Sequence, residues 1–267
     1  MIIPEKHLQA ESSKIAEASG RESQVQPDQS DDVLPPAYTD HLQDAQPTND
    51  AYPTGPPLKA QPTNFLSLHE KDGHIRGCYT IDPLMRVPTS LLAPLGANES
   101  EEDRRNLDLR TKDGHVDAEI WLLGRKVEDL PTISKERTTL YLSSRDGNVS
   151  ARVNTVDVTA PFLLDIYARD GRVTVLLPRS FHGPLLLTSR SSNSVILSDA
   201  ILEKSTPLST LDRTRRFFVG PTSEVTGQDW HGDELKVEAR DGKIRVRYID
   251  EIDTTAKGGF LSRVFSL

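Results

Sequence analysis

One cysteine, Cys78, stands in a chain of 267 residues, so no intramolecular disulfide braces it. It reads as a small apolar residue rather than a reactive thiol. No stretch approaches the roughly 18 consecutive apolar residues that a membrane-spanning helix needs. The opening MIIPEKHLQAESSK lacks the apolar run of a signal peptide. These absences point to the cytoplasm, with the nucleus as the other permitted compartment. There the matches to the glycosylation sequon at Asn98 and Asn148 are incidental. Positive charge is also in short supply, with 32 Lys+Arg against 40 Asp+Glu and a formal net charge of −8. A phosphate backbone demands a basic face, so no nucleic-acid partner is expected.

Apolar residues make up only 36% of the chain, and the deficit is local. Residues 1–63 hold nine of the 18 prolines, no Phe or Trp, and ten acidic residues against four basic ones. Such a composition cannot bury enough surface to offset chain entropy, which predicts a disordered acidic tail over 1–63. Residues 64–250 form the expected folded domain, and 251–267 a flexible C-terminal tail. Within the acidic tail lies Leu34-Pro35-Pro36-Ala37-Tyr38. A Pro-Pro-x-Tyr segment holds a polyproline II shape at low entropic cost and fits the aromatic groove of a WW domain. Pro35, Pro36 and Tyr38 would make the contacts. Its similarity to the ligands of WW-bearing ubiquitin ligases implies an adaptor or substrate role.

The rest of the chain is organised around one phrase: alternating apolar residues, then Lys/Arg-Asp-Gly, then further alternation. It occurs around Asp72-Gly73, Asp113-Gly114, Asp146-Gly147, Asp170-Gly171 and Asp241-Gly242. A degraded copy at Pro184–Leu197 lacks the Asp-Gly pair. Asp-Gly between alternating apolar runs is a strong signal for a type I′ hairpin, in which both turn residues take positive φ. A hairpin at Asp146-Gly147 pairs Ser144 with Val149, Leu142 with Ala151 and Leu140 with Val153. All six then share one face, and the copies around 113, 170 and 241 give the same parity. The degraded copy keeps that parity with a three-residue loop, Ser191–Asn193, with Asn193 left-handed. Two all-β architectures satisfy the pattern. One is a stacked repeat array of the solenoid or roll type, in which each Asp-Gly bend links strands of successive rungs. The other is an antiparallel β-sandwich of hairpins. Pro83–Ala97 is apolar enough to pack across either core, and Arg216–Gly220 reads as an extra strand within the long insertion Glu203–Glu234.

The Asp-Gly repeats resemble a bacterial adhesin-type β-repeat family. The whole layout, with KDGHV, RDGNV, RDGRV and RDGKI units behind a Pro-rich tail, is similar to a fungal domain of unknown function, numbered 7330. The resemblance covers about residues 64–250 and implies a β-repeat fold with no assigned activity.

Nothing in the sequence assembles a reaction centre. Each Asp-Gly turn offers one carboxylate beside a cation, which disfavours a calcium ladder. His74 and His115 recur after two turns, but two ligands do not fill a zinc site, and they read as exposed turn residues. Asp165, Asp170 and Asp199 invite a carbohydrate-enzyme reading, yet parity puts Asp165 on the outer face and Asp170 in a turn. No metal, cofactor or catalytic residue is therefore expected. The expected function is a non-enzymatic interaction or adaptor protein whose tail presents a WW-domain ligand. The rival is an adhesin or a glycan-binding or glycan-active β-helix protein at a cell surface.

Overall fold

A computed structural model describes residues 55–57, 60–96, 100–125, 137–224 and 230–251. Pro35, Pro36 and Tyr38 lie outside the described residues, as do nearly all of the two expected tails. Among the described residues fifteen strands form two sheets, and the first twelve alternate between them. They are β1 (Pro62–Thr63), β2 (Leu66–Glu70), β3 (Ile75–Ile81), β4 (Leu107–Thr111), β5 (Val116–Leu123), β6 (Thr138–Ser144), β7 (Val149–Val156) and β8 (Phe162–Ala168). There follow β9 (Val173–Leu177), β10 (Gly183–Ser189), β11 (Val195–Leu197), β12 (Ser205–Leu211), β13 (Thr214–Val219), β14 (Glu234–Ala239) and β15 (Ile244–Tyr248). One short helix, α1 (Asp199–Lys204), follows β11. Strand β1 begins two residues ahead of the expected domain boundary, pairing with the end of β3.

The two strands of a unit never pair with each other. Strands β4 and β6 lie in one sheet, β5 and β7 in the other, and each pairs in parallel with its equivalent in the next unit. The protein is a parallel two-sheet solenoid, and the pairs Ser144–Val149, Leu142–Ala151 and Leu140–Val153 do not form. Parity nevertheless places all six of those residues inside, because alternation is counted from the bend in either architecture. Identical rows result. Leu66, Leu107, Leu140, Leu164, Leu235 and Leu185 stack in register across one sheet. Ile75, Val116, Val149, Val173, Ile244 and Val195 do so across the other. Between the sheets these rows form the core. No single unit could hide its apolar face, so stacking is what makes the fold stable.

The bends correct the expected turn chemistry. None of Gly73, Gly114, Gly147, Gly171 and Gly242 has positive φ. At Gly114, Gly147, Gly171 and Gly242 glycine is needed for a different reason. A Cβ on Gly147 would lie 1.9 Å from the carbonyl oxygen of Gly114, and one on Gly171 would lie 1.8 Å from that of Gly147. Successive bends touch backbone to backbone. Ser144 seals one such corner, donating to Gly114 O at 2.7 Å and accepting from the Gly147 N–H at 2.8 Å. Residues after the bends form a further ladder: His115 N–H donates to His74 Nδ1 at 2.9 Å, and Asn148 N–H to His115 Nδ1 at 2.8 Å. The two imidazoles stack with centroids 4.9 Å apart. They are exposed, as expected, but each accepts a backbone hydrogen bond from the next rung. In the degraded unit Asn193 is not left-handed; a 3-10 turn over Ser192–Ser194 makes the corner. An antiparallel hairpin occurs at β12–β13 instead, with Asp212 at φ 47° and no Asp-Gly.

Chain order and stacking order differ at one place. Strand β14 lies between β8 and β10, and β15 between β9 and β11. The last repeat is thus threaded between the fourth and the degraded one. Asp233, just before β14, fastens it to both neighbours. Its Oδ1 accepts from Phe162 N–H and its Oδ2 from His182 N–H, each at 3.1 Å. Burial pushes its carboxyl up, and those two hydrogen bonds pull it partly back. The end beyond β10 is closed by the β13–β12 hairpin, and α1 buries Ile201 against the core.

Candidate functional site

Outward-facing residues also fall into rows, because a parallel register repeats every side chain at the strand spacing of about 4.8 Å. One row on the larger sheet reads Ser67, Asp108, Tyr141, Asp165, Lys236. Beside it Arg110 grips Asp108 with two hydrogen bonds, Nε to Oδ1 at 2.7 Å and Nη2 to Oδ2 at 2.6 Å. The guanidinium carbon of Arg105 sits 3.9 Å above the Tyr141 ring, and that of Arg110 lies 5.1 Å from its centroid. Ser67, Asp108 and Asp165 of this row line a groove of about 820 Å³.

One wall is the segment Ala93–Leu95. The segment around it was expected to pack across the core, but Leu84, Met85 and Leu91 are exposed and it lies outside the sheet. Both sheets already fill the interior with their own rows, leaving no apolar space for it. Phe65, a bulky residue at φ 58°, also lines the groove. That conformation costs about 1–3 kcal/mol for a side chain of this kind, and its surroundings hold it there. Asn64 is buried; its amide donates to Pro83 O at 3.2 Å and Met85 O at 3.0 Å, and its Oδ1 accepts from Asn106 Nδ2 at 2.8 Å. Asn106 Oδ1 in turn accepts from Thr139 N–H at 2.7 Å. An amide network across three rungs thus fixes the backbone that presents the Phe65 ring.

Two polar groups in the groove have unused hydrogen-bonding capacity. Arg105 Nη1 is buried without a hydrogen-bond partner; the nearest carboxylate oxygen, Asp108 Oδ2, is 3.6 Å away, close enough for attraction only. Asp165 is half-buried, and no group among the described residues hydrogen-bonds its carboxylate. Burial pushes that carboxyl above its usual range; the nearby charges of Arg105 and Lys236 offset this in part, and Glu234 adds to it. Neither Asp170 nor Asp199 lies in the groove. Among the described residues no cluster of three or more His, Cys, Asp or Glu is placed to hold a metal ion.

The Asp-Gly residues lie elsewhere, in a column along one edge of the solenoid. Asp72-Gly73, Asp113-Gly114, Asp146-Gly147, Asp170-Gly171 and Asp241-Gly242 occupy the bends that carry the chain from the larger sheet to the smaller. Cations bridge the aspartates: Arg169 contacts both Asp146 and Asp170, and Arg190 reaches Asp241 at 2.6 Å. Hydrogen bonding to Arg169 holds the Asp170 carboxyl below its usual range. This column braces the corners and lies apart from the groove.

Sequence reasoning missed the groove because its parts are far apart in the chain and none belongs to a motif. Arg105 ends the charged run NESEEDRR, Phe65 sits in the short link between β1 and β2, and Asp165 reads as an outer residue by parity. Aligning the repeats on their Asp-Gly pairs places Asp108, Tyr141 and Asp165 in one column, a signal the sequence did contain.

No helix among the described residues is long and apolar enough to cross a membrane. No curated protein and no solved structure matches the chain. One family model does, over residues 64–251, which span every rung of the solenoid and the groove. By that match the chain belongs to the family described as the domain of unknown function DUF7330.

Proposed function

We propose that this chain is a non-enzymatic intracellular binding protein that connects two partners. The solenoid holds a ligand in the groove on its larger sheet, and Pro35, Pro36 and Tyr38 recruit a WW-domain protein of the ubiquitin-ligase type. The observation that carries the first half is the groove itself, lined by Phe65, Arg105, Asp108 and Asp165, in which the half-buried Asp165 carboxylate has no hydrogen-bond donor among the described residues. Its accepting oxygens are left for a ligand that donates. The strained Phe65 in the lining adds support, since backbone strain concentrates at ligand-contacting positions. The tail half rests on the sequence motif.

Capture of the full-length chain on ubiquitin-ligase WW domains tests the arrangement. Wild type and Asp165→Ala are retained alike, whereas Tyr38→Ala is lost. Retention of Tyr38→Ala at the wild-type level removes the WW-domain half of the proposal.

A further inference from the structure

We propose that Asp72-Gly73 is a site of spontaneous isoaspartate formation, and that stacking shields the four other Asp-Gly pairs from the same reaction. The chemistry is intramolecular. The Gly73 amide nitrogen, giving up its proton, attacks the Asp72 side-chain carboxyl carbon, a water molecule leaves, and a succinimide ring closes. Water then opens the ring at either carbonyl. Opening at the backbone carbon restores a carboxyl there and leaves the main chain running through the Asp72 side chain. One water departs and one enters, so no other reactant is needed. Glycine favours closure because no Cβ hinders approach to its nitrogen.

To close the ring, the Asp72–Gly73 peptide has to turn toward the side chain. At the other bends the stack opposes this. The N–H groups of Asp113, Asp146, Asp170 and Asp241 donate to the adjoining rung, at Lys71 O (3.0 Å), Lys112 O (2.9 Å), Arg145 O (3.0 Å) and Arg169 O (2.9 Å). Gly114, Gly147, Gly171 and Gly242 press against a backbone carbonyl of that rung. The Gly114 and Gly147 N–H groups are held further by Thr111 Oγ1 at 3.2 Å and Ser144 Oγ at 2.8 Å. Arg169 engages the carboxylates of Asp146 and Asp170, and Arg190 that of Asp241. The first bend has none of these restraints. Among the described residues the Asp72 and Gly73 N–H groups meet no acceptor, and the exposed Asp72 carboxylate meets no donor or cation. The next rung grips only the flanking peptides, through Lys71 O and through Gly73 O, which accepts from Thr111 Oγ1 at 2.8 Å. Isoaspartate lengthens the main chain by one carbon, and it does so in the rung that supplies Ser67 and His69 to the groove.

Ageing the full chain at neutral pH in heavy-oxygen water, then digesting it in ordinary water and mapping it by mass spectrometry, tests the proposal. Each passage through the succinimide leaves one heavy oxygen in the carboxyl, and fragmentation separates isoaspartate from aspartate. Label at Asp72 should exceed that at each other bend by about tenfold or more, because turning the peptide there breaks at least one further hydrogen bond. In urea the five pairs should label at similar rates. Gly73→Ala, whose methyl crowds the attacking nitrogen, should suppress label at Asp72 while the far-UV circular dichroism spectrum stays unchanged. The proposal is overturned if folded Asp72 takes up no label or no more than another bend, or if Gly73→Ala labels as wild type does. It is overturned equally if Asp72 leads by the same factor in urea, since the cause would then be local sequence and not stacking.

Discussion

Replacing Gly171 with alanine should be among the most damaging small changes available to this fold, and replacing Gly73 among the mildest. Both occupy the same position in the repeat. At Gly171 the added Cβ would fall 1.8 Å from Gly147 O and 2.4 Å from Gly147 C, both backbone atoms of the adjoining rung. An ordinary carbon–oxygen contact is about 3.2 Å or more, so the rungs must part by over an ångström. The hydrogen bonds flanking that corner, Asp170 N–H to Arg145 O at 3.0 Å and Val149 N–H to Arg172 O at 2.9 Å, would then stretch beyond useful length. Two or three such bonds lost with their groups left unsatisfied amount to about 3–5 kcal/mol. Reduced unfolded-state freedom returns only about 0.4–1 kcal/mol. The net loss of about 2–5 kcal/mol, at roughly 2–4 °C per kcal/mol for a domain of this size, should lower Tm by about 4–20 °C. At Gly73 no neighbouring backbone comes that close among the described residues; the nearest atom is Glu70 Oε2 at 3.3 Å, the free end of a flexible side chain. Alanine there should leave stability unchanged or raise it by up to about 1 kcal/mol. Urea and thermal unfolding followed by circular dichroism measure both. A type I′ turn would make the two substitutions equally costly. Equal losses, or a loss under about 1 kcal/mol at Gly171, would refute the backbone-contact explanation.

Asp165→Asn should stabilise the protein at neutral pH. Burial raises the folded-state carboxyl, so the folded chain binds more protons between the ordinary Asp value of about 3.9 and the raised one, and stability falls as pH rises through that window. The variant's advantage in urea midpoint should therefore vanish as pH drops below the window; a gain independent of pH would contradict this origin. Asp233→Asn should do the opposite despite a carboxyl raised in the same direction, because both oxygens accept backbone N–H groups and the amide nitrogen can accept neither. A loss of about 1–3 kcal/mol is expected from one buried N–H left unpaired. A neutral or stabilising result in urea unfolding would show that Asp233 does not fasten the threaded repeat.

Much of the core was legible. Counting outward from each Asp-Gly pair assigns Leu140, Leu142, Val149, Ala151 and Val153 to the interior, and all five are buried. Pairing was not legible from the same pattern. Alternation fixes which face a residue occupies, whereas whether Leu140 lies beside Val153 or beside Leu107 depends on the geometry of the bend. The glycine signal misled for a related reason: Asp-Gly suggests positive φ, but glycine here answers to a neighbour's backbone, which only stacking reveals. Asp165 shows the same limit in the candidate site. Its outward position followed from parity, but its place in a groove shared with Arg105 and Ala93–Leu95 did not, because those residues come from a connection with no repeat pattern.

The threaded repeat marks where local pattern stops carrying information. Rows of identical size would be preserved if β10 lay directly on β8, since Leu164 and Leu185 would then stack just as Leu164 and Leu235 do. Apolar burial is nearly indifferent between the two orders, so the choice must be made by groups outside the rows. Asp233 is one, because its two oxygens answer backbone N–H groups on both flanking segments at once and have that use only in the threaded order. Trp230 is another. Its indole N–H donates to Asp233 O at 2.8 Å, its ring packs edge-on against His182 and Phe218, and its carbonyl accepts from Arg137, which also pairs with Glu234 at 2.6 Å. The segment from Trp230 to Glu234 at the entry to β14 therefore acts as a guide for stacking order. In a stack of near-equivalent units, a few polar and aromatic contacts at the entry to one strand set an order that the hydrophobic effect alone would leave degenerate.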